Sequence, residues 1–128
     1  MKEGSQYLEL GKLDAYIYSR KYGFSAWEIY SRLDWQQKKI IGDQFIRSVN
    51  SVGANIAEGY GRYHYLDKNK FYYNARGSLI ESRHWFVVLH ERKMISSEEY
   101  HLLIDYCDNI YRLLNALIKS QLARKENP

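Results

Sequence analysis

The sequence predicts an all-α protein, an antiparallel up-down-up-down four-helix bundle occupying residues 8–122. Three observations carry that expectation. The single proline is Pro128, so no ring or missing amide interrupts a helix inside the chain. Apolar residues recur at steps of three and four in four separate segments. Two capping boxes, Asp34 with Gln37 and Ser96 with Glu99, stand where such segments would begin. A chain of 128 residues with 45% hydrophobic content suits one core, and residues 1–7 and 123–128 are expected to fray.

The first segment, residues 8–33, places Leu13, Ile17, Phe24 and Trp27 on one helical stripe, with Gly23 weakening its middle. The second starts at the Asp34 cap, carries Ile41, Phe45, Val49, Val52 and Ile56 inward, and runs into Gly59 and Gly61. Either of these glycines can adopt the left-handed conformation that stops a helix. In the third, Phe71, Ala75, Ser78, Ser82, Trp85 and Leu89 form a bundle seam, whose small members let a neighbour come close or receive a large side chain. It ends near Lys93 and spans on the order of 40 Å at the helical rise per residue. The fourth carries Tyr100, Leu103, Cys107, Ile110, Leu114 and Leu117. Connections this short force neighbouring helices to run antiparallel.

With that seam facing inward, Tyr73, Ile80, Val87 and Met94 recur every seven residues on the side pointing away. A water-facing stripe is not expected to be apolar, so these four residues predict an interface with further copies of the chain. Should the true seam lie one stripe away, the same residues would help to fill the bundle's own core.

The net charge is +4, and the bases are concentrated in the middle of the chain. Lys38, Lys39, Arg47, Arg62, Lys68, Lys70, Arg76, Arg83, Arg92 and Lys93 face only Asp43, Glu58, Asp67, Glu81 and Glu91 between positions 35 and 93. Such a surplus suits a polyanion. The first eight bases are the candidates for contact with RNA or DNA, because aromatic residues accompany several of them. Tyr60, Tyr63, His64 and Tyr65 stand beside Arg62, Lys68 and Lys70. The alternative is that tyrosine and arginine anchor a protein interface, in which case the molecule is a scaffold that leaves nucleic acid alone.

No catalytic residue, metal or cofactor is expected. Glu81 with His84 and Glu98 with His101 have the spacing of di-metal ligands, but their levels along the bundle differ by roughly 15 Å. Cys107, the only cysteine, falls on a core stripe, and the glycines lack the preceding strand and following lysine of a phosphate loop. The opening residues, with Lys2, Glu3 and Glu9, do not read as a leader, and no apolar run approaches membrane length. A cytoplasmic location is expected, with no membrane partner.

Gln44 to Ser48 (QFIRS), Asn55 to Arg62 (NIAEGYGR) and Phe71 to Ser78 (FYYNARGS) resemble the bacterial four-helix-bundle family of rRNA intervening-sequence proteins. The resemblance runs over residues 8–121. It implies a homopentameric barrel. Through a related branch, the accessory variability proteins of diversity-generating retroelements, it also implies nucleic-acid binding beside a reverse transcriptase or a ribosomal component. Asn55, Glu58, Gly59 and Gly61 belong to the family pattern and are expected to define the end and the packing of the second helix.

Overall fold

The computed structural model describes residues 10, 11 and 13–126, so the expectation for residues 1–7 lies outside the described residues. Four long helices follow one another: α1 (Asp14–Arg32), α2 (Asp43–Gly61), α3 (Tyr65–Glu91) and α4 (Ser97–Glu126). A helical turn, Trp35–Gln37, and a π-helical segment, Lys38–Gly42, lead into α2. No strand occurs among the described residues. Packing is most extensive between α2 and α3, then α3 and α4, α1 and α2, and α1 and α4, so the helices form a closed square in chain order. The α1/α2 side therefore lies opposite the α3/α4 side.

Both capping boxes form. Asp34 Oδ1 accepts from the Gln37 amide at 2.8 Å, and Gln37 Oε1 accepts from the Asp34 amide at 3.0 Å. Ser96 and Glu99 make the same exchange at 3.1 and 2.9 Å. Glu99 also receives both guanidinium arms of Arg32, which ties the end of α1 to the start of α4 and holds the carboxyl below its usual range. Asn69 at the start of α3 donates to the Ile118 carbonyl near the end of α4 at 3.2 Å. These ties define an upper end, with the α1–α2 and α3–α4 turns, and a lower end, with the α2–α3 turn and the last turns of α4.

The α2 stripe is buried as expected, Ile41, Phe45, Val49, Val52 and Ile56 all lying in the core. In α4, Leu103, Cys107, Ile110 and Leu114 are buried, while Tyr100 and Leu117 pack against the core from its margin. Burial raises the Cys107 thiol to about 11, so it stays protonated and acts as a small core group. Ser82 does receive a large side chain: the Tyr22 hydroxyl meets its Oγ at 2.7 Å, Ser82 donates to the Leu79 carbonyl, and Cys107 Sγ lies 3.6 Å from the Tyr22 oxygen.

The stripe expected in α1 turns outward at Phe24 and Trp27, while Leu13 packs against the core. Phe24 is 65% exposed and Trp27 55% exposed, Leu13 and Ile17 are half-buried, and the buried face is Ala15, Ser19, Tyr22, Ala26 and Ile29. The reason is steric: small residues let α1 lie close on α2, and a Cβ placed on Gly53 would come within 3.1 Å of Ser19 Oγ. This helix starts at Asp14, Leu10 just ahead of it is helical and buried, and the expected start at residue 8 lies outside the described residues.

The α3 seam sits one residue further along than expected. Tyr72, Leu79 and Phe86 are buried with Ala75, Ser82 and Leu89, whereas Phe71, Ser78 and Trp85 are half-buried at its edge. Adjacent residues that are both apolar leave the stripe ambiguous by about 100°, the rotation per residue at 3.6 per turn. Of the outward stripe, Tyr73 and Ile80 are exposed at 43% and 58%, while Val87 and Met94 pack against the core.

Helix ends differ from expectation too. No glycine among the described residues has positive φ; α2 stops where Arg62 turns extended. The left-handed stop occurs instead at Lys93, φ 59°, where Met94 donates to the Leu89 carbonyl and Lys93 to that of His90. α4 runs as a helix through Glu126. The π-helical segment, which repacks the chain so that Gly42 lies against Leu33 and Tyr30, has no counterpart in the spacing pattern.

Candidate nucleic-acid interface

The family-pattern residues build the junction of α2 and α3. Asn55 donates to the Ser51 carbonyl and to Ser51 Oγ, and Ser78 Oγ meets Ser51 Oγ at 3.0 Å, linking the two helices. Glu58 pairs with Arg62 at 2.7 Å, and the Arg62 guanidinium lies over the Phe71 ring at 4.8 Å. Gly59 is where the helices touch. A Cβ there would come within 2.8 Å of Tyr72 Cε1 and 3.0 Å of both the Lys68 carbonyl and Phe71 Cβ. Burial against this contact, with Tyr60 nearby, raises the Tyr72 hydroxyl to about 12.

Gly59→Ala is accordingly expected to lower stability by about 1–2 kcal/mol, the overpacking cost exceeding the helix-propensity gain. Gly61→Ala, where an added Cβ meets nothing within 4 Å, should be neutral or slightly stabilising. Urea titration of both variants at one protein concentration checks the contrast.

The eight candidate bases fall in four places. Lys38 and Lys39 stand at the upper end, their ammonium groups 5.0 Å from the Tyr30 ring and 4.9 Å from the Trp35 ring. Arg47 is exposed in the second turn of α2. Arg76 and Arg83 lie on the α3/α4 side, where Arg76 bonds Asn115 at 2.8 Å and stacks on Tyr73, and Arg83 pairs with Asp108 at 3.0 Å. Arg62, Lys68 and Lys70 share the lower end.

Lys68 there is largely committed to the fold. Its ammonium donates to the Tyr60 carbonyl at 2.8 Å and approaches that of Gly59 at 3.4 Å, closing the end of α2. Burial, and secondarily Arg124, lower its pKa. The influence of Arg124 marks a further base at this end, outside the eight candidates. The antiparallel return of α4 brings position 124 beside position 68, which counting residues down the bundle would have revealed. Around these bases stand Tyr63, 94% exposed, and the His64 and Tyr65 rings, stacked with centroids 4.7 Å apart.

On the opposite long sides lie two shallow grooves. The α1/α2 groove, about 490 Å³, is floored by Gly23, Gly53, Ala54 and Ala57 and rimmed by Phe24 and Trp27. The α3/α4 groove, about 320 Å³, is lined by Leu79, Ile80, Arg83, Cys107, Asp108 and Tyr111. No three His, Cys, Asp or Glu side chains converge on a metal position among the described residues; Glu81 instead accepts from the Trp85 indole at 3.2 Å. No helix among them is long and apolar enough to cross a membrane.

These features define the class: an up-and-down four-helix bundle whose aromatic and basic groups are displayed on its outside. The chain belongs to the 23S rRNA-intervening sequence protein family, whose profile matches residues 11–116. It is also similar to the crystal structure of a protein of unknown function from the S23 ribosomal protein family of Bacteroides thetaiotaomicron, with a TM-score of 0.76 and 25% identity over 82% of this chain and 95% of that one. No curated protein matches the chain.

Proposed function

We propose that this protein is a non-enzymatic subunit of a homo-oligomeric ring, five copies being the expected number, that binds RNA or another nucleic acid through basic groups. The observation that carries the reading is the lower end, where Arg62, Lys68, Lys70 and Arg124 from the α2–α3 turn, α3 and α4 stand among exposed aromatic rings. Two different apolar sides, one rimmed by Phe24 and Trp27 and the other carrying Tyr73 and Ile80, favour a head-to-tail contact between copies, which closes into a ring when the rotation allows. Around an axis parallel to the helices, every lower end faces the same way, so the basic patches add into one rim and act together. A reverse transcriptase or a ribosomal component is the proposed company for such a rim.

The test is an anisotropy titration against RNA and DNA over a range of salt. Four to six phosphate contacts make log affinity for a single strand fall with log salt at a slope of about −3 to −4. Absence of salt-sensitive binding overturns the reading. A second reading, a scaffold for protein clients in cytoplasm, is favoured by the way Arg76 and Arg83 are held by Asn115 and Asp108 on an apolar side. It expects client capture with no nucleic-acid binding at any salt concentration.

A further inference from the structure

Tyr63 is the most exposed of the large hydrophobic side chains among the described residues, in a turn that gains nothing from it as packing. The residues that favour turns are small and polar, because they supply local hydrogen bonds or unusual φ values. Here the turn joining α2 and α3 and the first residue of α3 present three rings in succession, Tyr63, His64 and Tyr65. His64 has a local task, accepting the Leu66 amide through Nδ1 at 3.2 Å, and its ring stacks on Tyr65 at an interplanar angle of 27°. That leaves the Tyr63 ring facing water with both faces open to a flat partner.

The charges around it are of one predominant sign. Glu58 is neutralised by Arg62 in an ion pair, and Asp67 lies in the first turn of α3, where the helix dipole favours an acid. Arg62 keeps further N–H donors beyond its bond to Glu58. Lys70 is exposed one turn into α3, and Arg124 comes from α4. A flat open ring among cations matches the way single strands are held, with phosphates on the bases of the protein and nucleobases on its rings. In a duplex the bases are stacked on one another and cannot reach such a ring.

We infer that the α2–α3 turn is a docking point for single-stranded nucleic acid, with an unpaired base stacked on Tyr63 and the flanking phosphates held by Arg62, Lys70 and Arg124. This rests on the nucleic-acid reading above and narrows it to one strand state and one contact residue. Because the site is at the lower end, a ring of copies would repeat it along one rim, and a strand tracking that rim would meet a ring of tyrosines.

The experiment uses the full chain and a fluorescein-labelled twenty-nucleotide uridine RNA, its deoxy counterpart, and the RNA annealed to its complement. Both single strands are expected to bind more tightly than the duplex; the RNA and DNA arms together report whether the sugar contributes. Tyr63→Ala should weaken single-strand binding by about 5- to 150-fold while leaving the salt slope unchanged, and Tyr63→Phe should restore it. Lys70→Ala should reduce the slope by about 0.7. Tyr63 is a surface turn residue, so an unchanged circular-dichroism melt will certify that the alanine variant is folded. Wild-type protein that binds none of the probes overturns the nucleic-acid reading itself. Wild-type protein that binds, with Tyr63→Ala indistinguishable from it or with the duplex preferred, overturns this inference alone.

Discussion

Ile80→Lys is expected to separate the proposed ring into monomers. Ile80 is exposed on the α3/α4 side, seven residues beyond Tyr73, and it borders the groove with Tyr111. A lysine there must leave its ammonium desolvated and unpaired in an apolar contact, or hold the neighbour away. Loss of a central interface anchor costs about 2–4 kcal/mol, which is roughly a thirtyfold to a thousandfold weakening at each joint. Trp27→Ala on the opposite side should have the same consequence, because Trp27 and Phe24 rim the groove on the other face of the proposed contact. The two variants differ in which side they spoil. Mixed together, each still offers one intact side, so a head-to-tail contact predicts a heterodimer and no larger ring. Light scattering of the separate and mixed variants measures this. A two-fold symmetric contact using one side twice would give no heterodimer in the mixture.

Phe86→Ala is expected to cost about 3–5 kcal/mol, a large share of the 5–15 kcal/mol that holds a domain together. Phe86 is completely buried and meets the Tyr100 ring edge-on at 5.7 Å between centroids, so no water or flexible chain can refill the space. Phe71→Ala removes a ring of the same size from a half-buried position and should cost clearly less. Denaturant titration at fixed protein concentration compares them, since association would otherwise shift both midpoints. A larger loss for Phe71→Ala than for Phe86→Ala would mean that the seam of α3 runs through Phe71 and not through Phe86.

That comparison also marks where the sequence was legible. The α2 stripe could be read because polar residues separate its apolar members, and both capping boxes because their chemistry is local. The α3 register could not, because Phe71 and Tyr72, Ser78 and Leu79, and Trp85 and Phe86 offer two neighbouring stripes of similar character. In α1 the pattern misplaces Phe24 and Trp27 for a related reason. Its large residues Phe24 and Trp27 look like core, yet closeness to α2 is set by Ser19 and Gly53, and the rings are displaced to the rim. A helix with an outer apolar face defeats a rule that assumes one buried face per helix. Of the basic candidates, Arg62 and Lys70 meet at the lower end, and Arg124 joins them only through the return of α4. Lys68 illustrates a further limit, since composition cannot distinguish a lysine that closes a helix end from one that meets a phosphate.

The ring is the claim on which the rim, the repeated docking points and the pairing of the α1/α2 side with the α3/α4 side all depend. Sedimentation velocity of the full chain across a wide concentration range tests it most directly. The expected result is one species with five times the mass of the chain, stable to dilution and lost in Ile80→Lys. A single species of the chain's own mass at every concentration, with Phe24, Trp27, Tyr73 and Ile80 left in water, would contradict it.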